Sequence, residues 1–248
     1  MELGWKAVRE VLEGGGVDQD RARAARLSVE ELPAALAMTL VTALVSALIL
    51  AVMALLTTVR RRQLHPSTWM TAALLGVAFM LVELSAVSRL TVLLGAPSLA
   101  FAVVAGALLA GAGAGSALSS HPRLAVLHLP QWACLTASSG ALLMAVLVPL
   151  AGSALLAAPP WLRTLGALCC VVPPGACLGL AFPSMLQRAS SQDARAGVAL
   201  CWTFNGVASV LGGALSVVIS VQAGLRVTLL CAAVLYGVAA ALMHRSRV

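Results

Sequence analysis

Apolar positions along this 248-residue chain fall into long, nearly uninterrupted runs instead of the three-and-four spacing of amphipathic soluble helices or the alternation of strands. A helix needs roughly 20 apolar residues to cross about 30 Å of hydrocarbon, and seven runs meet that length. They span about 33–59, 68–90, 97–118, 130–157, 161–186, 196–221 and 225–243. Short polar or proline-containing breaks separate them, which predicts an all-α polytopic membrane helix bundle of about seven transmembrane helices. Residues 1–31 read as a polar N-terminal tail and 32–248 as the transmembrane domain. The tail carries the Gly14-Gly15-Gly16 joint between two short stretches, Met1–Leu12 and Asp18–Glu31, that could lie as amphipathic helices on the membrane surface. The first run lies too far from the N-terminus, and is too long, to read as a signal peptide.

Composition agrees with the pattern. Sixty per cent of residues are hydrophobic, 10% are charged, and mean hydropathy is +0.98, far from soluble averages. The lipid bilayer is therefore the expected surroundings. A net charge of +7 would suggest nucleic acid in a soluble protein, but here the arginines gather at loop ends, as topology requires, so no nucleic-acid partner is expected. Arg60, Arg61, Arg62, Arg123, Arg188, Arg195, Arg245 and Arg247 fall on one side of a seven-pass chain, against Arg89, Arg163 and Arg226 on the other. The excess predicts an N-terminus outside and a C-terminus in the cytoplasm.

The candidate chemistry is sparse. Glu83 lies within the second run, where a carboxylate must face the bundle interior, find a partner or take up a proton. Proton or cation handling is one reading; a hydrogen-bonded organiser of the bundle is the preferred one, with Asn205, Thr203 or a carbonyl freed near Pro173 as its partner. Arg89, six residues on, points about 120° away and reads as an interfacial anchor, as do Trp69, Trp132 and Trp161 at run ends. Gly111 and Gly115 give the third run a small-residue face for close helix approach. Pro173, Pro174 and later Pro183 predict an interrupted fifth helix near mid-membrane. Asn205 and Ser209, four apart, share a face of the sixth, suited to interhelical hydrogen bonding. Six cysteines and four histidines form no zinc, iron–sulfur or haem pattern, so no cofactor, metal or catalytic residue is expected.

Three segments, FMLVELSAVSRLTVLLGAPSLAFAVVAGALLAGAGAGSAL (79–118), PPGACLGLAFP (173–183) and WTFNGVASVLGGALSVVISVQAGLRVTLLCAAVLYGVAAAL (202–242), resemble the C-terminal membrane half of bacterial spermidine synthase-like membrane proteins. Asp18-Gln19-Asp20-Arg21 is similar to the short acidic segment leading out of the synthase domain in that family. The Gly-rich strand–turn–helix and paired aspartates of the synthase domain have no counterpart in this chain, so no catalytic residue carries over. The resemblance implies a bacterial inner-membrane protein and leaves three readings. The first, preferred, is a non-catalytic membrane subunit or scaffold that works with other membrane protein subunits. The others are the membrane part of a split enzyme, with a separate synthase-type polypeptide as partner, and a small-solute transporter half acting as a dimer.

Overall fold

The computed structural model describes residues 37–56, 65–119, 129–192 and 196–245. Every element among them is helical. In chain order they are α1 (Ala37–Leu56), α2 (Pro66–Leu94), α3 (Pro97–Ser119), α4 (Pro130–Leu155), α5 (Pro160–Leu178), α6 (Ala181–Gln192), α7 (Ala196–Ala223) and α8 (Leu225–Arg245). With α5 and α6 taken together as Pro160–Gln192, seven spans are long and apolar enough to cross a membrane. The chain is thus an all-α, multi-pass helical bundle suited to a bilayer. The amphipathic tail segments, Asp18–Arg21, Arg60–Arg62, His121, Arg123, His128, Arg195 and Arg247 lie outside the described residues. The chain divides into two units, Met1–Val41 and Thr42–Val248, and the second holds the bundle.

The helix ends follow from local chemistry. Helices α2, α3, α4 and α5 each open on proline, whose missing N–H costs nothing at a position without an intrahelical acceptor. The His65 ring precedes α2 and accepts from the Ser67 amide at 3.3 Å. Helix α2 stops at Gly95, which takes φ +78° and returns its N–H to the Thr91 carbonyl at 2.9 Å. Gly224, at φ +88°, alone separates α7 from α8. A side chain at either glycine would be strained.

Helix α2 is the hub, packing on every helix from α3 to α8. Its widest seam is with α7, and the partners rise together: Ala72 with Asn205, Gly76 with Ser209, Val77 with Gly212, and Met80 and Leu84 with Gly213. The two helices therefore run parallel. A Cβ on Gly212 would stand 2.7 Å from the Val77 Cα, so this approach needs glycine. Helices α3 and α4 hold α5 between them, and α4 also pairs with α8, where the Ser138 hydroxyl donates to the Ala233 carbonyl at 2.8 Å. Buried alanines (72, 78, 86, 100, 107, 133, 137, 141, 167, 208, 232 and 239) let the backbones come close, and Leu81, Met144, Met185, Phe204 and Tyr236 fill what remains. Association in lipid rests on this packing, since lipid chains are as apolar as leucine and give helices no hydrophobic reason to pair.

A candidate cleft at the break of the fifth span

Interruption of the fifth span is expected over Pro173, Pro174 and Pro183, and the structure turns the chain just before the last of these. Pro173 and Pro174 lie inside α5, which continues to Leu178, and the chain turns at Gly179–Leu180 before α6. Pro183 explains the position, because it offers no N–H to the Gly179 carbonyl four residues back and its ring crowds that oxygen. Gly179 also lies directly against Ala112 of α3, an approach no larger residue allows. Pro173 and Pro174 are accommodated by their neighbours instead. The Pro174 carbonyl stands 3.0 Å from where a Cβ of Gly140 on α4 would sit, and Gly111 and Gly115 of α3 lie against Val172, Gly175 and Ala176. The small-residue face of α3 and the Val172, Gly175 and Ala176 flank of α5 are thus two sides of one seam.

The break opens a cleft of about 420 Å³. Leu75 and Phe79 of α2, Ala112 and Ser116 of α3, Gly179, Phe182 and Pro183 at the break, Trp202 and Asn205 of α7, and Tyr236 of α8 line it. The Phe182 and Trp202 rings meet edge to face, with centroids 4.8 Å apart. Asn205 donates from Nδ2 to the Ala72 carbonyl at 3.0 Å, and its own carbonyl accepts from the Ser209 hydroxyl at 2.8 Å. The side-chain amide is thereby held against α2 while the residue forms part of the cleft wall. Walls of this kind suit an uncharged, largely apolar occupant, because no side-chain charge lines them to offset the desolvation of an ion.

Of the residues singled out by sequence, the structure brings Asn205 and Ser209 together at Gly76 and sets Gly111 and Gly115 against Val172, Gly175 and Ala176 of α5, whereas the Pro174 carbonyl faces Gly140 of α4. Glu83 stands apart. Asn205 meets α2 eleven residues before Glu83, roughly 16 Å along the helix, and the Pro174 carbonyl faces α4. The Thr203 hydroxyl donates to the Ala199 carbonyl at 2.8 Å, so none of the three expected partners bonds to the carboxylate, and among the described residues no hydrogen bond or ion pair involves it. Glu83 is half-buried, and it is the one acid among the described residues. Arg89 is exposed near the end of α2, and Trp132 and Trp161 are exposed at the starts of α4 and α5, positions suited to an interface. Trp69 differs: its ring stacks on Phe204 with centroids 4.9 Å apart, beside Ala72, Ala189 and Cys201. The six cysteines are free, and among the described residues no group of His, Cys, Asp or Glu is placed to hold a metal.

Two features escaped the sequence reading. Tyr236, the only tyrosine, is 2% exposed and reaches the cleft from α8; its uniqueness was the available signal. Arg163 donates Nε to the Ala158 carbonyl at 2.8 Å, Nη2 to Leu156 at 2.6 Å and Nη1 to Leu93 at 3.4 Å, tying the ends of α2 and α4 together. Helix-terminal carbonyls lack intrahelical donors, and a guanidinium fork answers several at once. Comparison with protein-family models, curated proteins and solved structures finds no match to the chain.

Proposed function

We propose that this chain is a non-catalytic subunit of a larger membrane assembly, a scaffold that positions other membrane proteins. The observation that carries this reading is α1. Its mean hydropathy of 2.6 is the highest of the seven spans, yet only 6% of its membrane window is buried within the chain, against 28–56% for the other six. Leu50, Met53 and Ala54 pack beside Trp69 and Ala72, while Leu44, Leu48, Val52 and Leu55 present a continuous apolar stripe outward. A helix so lightly held by its own bundle is available to a neighbouring transmembrane segment. The loop arginines favour a cytoplasmic C-terminus, and the resemblance to spermidine synthase-like membrane halves favours a bacterial inner membrane. Photo-crosslinkers placed at Leu44, Leu48 and Leu55 in native membranes should yield one dominant protein adduct. Adducts to lipid alone, with the chain purifying free, would refute the scaffold.

A second reading, a transporter half that dimerises, draws on the cleft, since irregular backbone at membrane depth is tolerated where it lines a cavity. Its test is flux of a small solute into vesicles holding the purified chain. Flux that Asn205→Leu removes would favour it; vesicles without flux would leave the scaffold.

A further inference from the structure

A second cleft, of about 300 Å³, lies where α2 and α4 end, between Arg89, Val92, Leu93, Pro149, Gly152 and Leu156. Helix α2 has 29 residues, roughly 43 Å of helix against about 30 Å of hydrocarbon, so its end turns reach head-group depth. Arg89 stands in those turns, exposed, and among the described residues its guanidinium makes no hydrogen bond or ion pair. Below it the walls are apolar apart from Ser153, whose hydroxyl donates to the Leu150 carbonyl at 3.0 Å. Pro149 interrupts the ladder of α4, and a Cβ on Gly152 would meet nothing within 4 Å, so the missing side chain leaves the groove open. Helix ends expose carbonyl oxygens that repel an anion, but Arg163 engages those of Leu93 and Leu156, two wall residues, and adds a second positive charge at the rim.

We propose that this cleft holds one anionic phospholipid, its phosphate on Arg89 and an acyl chain along Val92, Pro149 and Leu156. A charged donor over an apolar groove at head-group depth matches the two halves of that molecule, and guanidinium and phosphate pair in fixed bidentate geometry. Neither half alone accounts for both the unpaired cation and the open groove.

The full chain, extracted from phosphatidylcholine bilayers made with and without phosphatidylglycerol, would be weighed by native mass spectrometry. Wild type should retain one phosphatidylglycerol in preference to phosphatidylcholine. Arg89→Gln should lower that retention about fivefold, the effect of one arginine at a membrane surface. Gly152→Leu, which leaves charge intact and enters open space, should lower it comparably, whereas Arg226→Gln, an exposed arginine outside the cleft, should leave it unchanged. Equal loss from Arg226→Gln, or none from Gly152→Leu, would reduce the effect to diffuse charge attraction and overturn the site. Inorganic phosphate that displaces the lipid completely would overturn the role of the acyl groove.

Discussion

Arg163 closes the bundle at one end by donating to three backbone carbonyls. Replacing it by Gln removes the fork and leaves helix-end carbonyls on α2 and α4 without donors. The expected cost is about 2 kcal/mol in unfolding from detergent micelles, with partial recovery in Arg163→Lys, because an ammonium reaches fewer acceptors. Asn205 is a smaller case. Its bond to Ala72 joins two helices, and Asn205→Ala should cost about 0.6–1.7 kcal/mol in the same measurement, the range for interhelical hydrogen bonds in membranes. At this scale the sequence was informative about residue type and silent about pairing. Asn205 was recognisable as an interhelical donor, but whether it met Glu83 or Ala72 depended on the offset between α2 and α7, which no local pattern encodes.

Among elements, α3 carries its glycines on two different faces. Gly111 and Gly115 adjoin the α5 backbone, whereas Gly106 and Gly113 meet nothing within 4 Å. Gly111→Leu should therefore force α3 and α5 apart and lower stability by 3 kcal/mol or more on the order of overpacked cores, while Gly106→Leu, facing outward, should be neutral or slightly stabilising. Thermal unfolding of the two variants side by side checks the contrast. The small-xxx-small spacing was legible because period and size alone define it. The position of the break within the proline-containing stretch has an equally physical cause. Three prolines lie there; the first two stay within α5, and the chain turns just before the third. A composition-based reading weighs the prolines equally; packing does not.

For the molecule as a whole, the seven spans were evident from length and apolarity, because the bilayer sets one dimension that every crossing helix must meet. The clefts were not, since each is assembled from helices distant in sequence. The cysteines offer a readout of the assembled bundle. Cys169 is exposed, while Cys134 and Cys201 are fully buried. A small apolar maleimide applied in detergent should modify Cys169 first and reach Cys134 and Cys201 only as the protein unfolds, which mass spectrometry of timed digests would resolve. Simultaneous labelling of all three would mean that the helices part locally at little cost.

The parallel seam of α2 and α7 sets a timetable for biogenesis. Asn205 Nδ2 and the Ala72 carbonyl it binds are 133 residues apart, with α3 to α6 between the two helices. At a synthesis rate of about 5–20 residues per second, α2 waits roughly 7–27 s after emerging before its principal neighbour exists. Throughout that interval its flank at Ala72, Gly76 and Val77 faces lipid or the insertion machinery, so the step most exposed to error is the late arrival of α7, and damage to Gly212 should reach the cell as turnover of an inserted but unclosed chain.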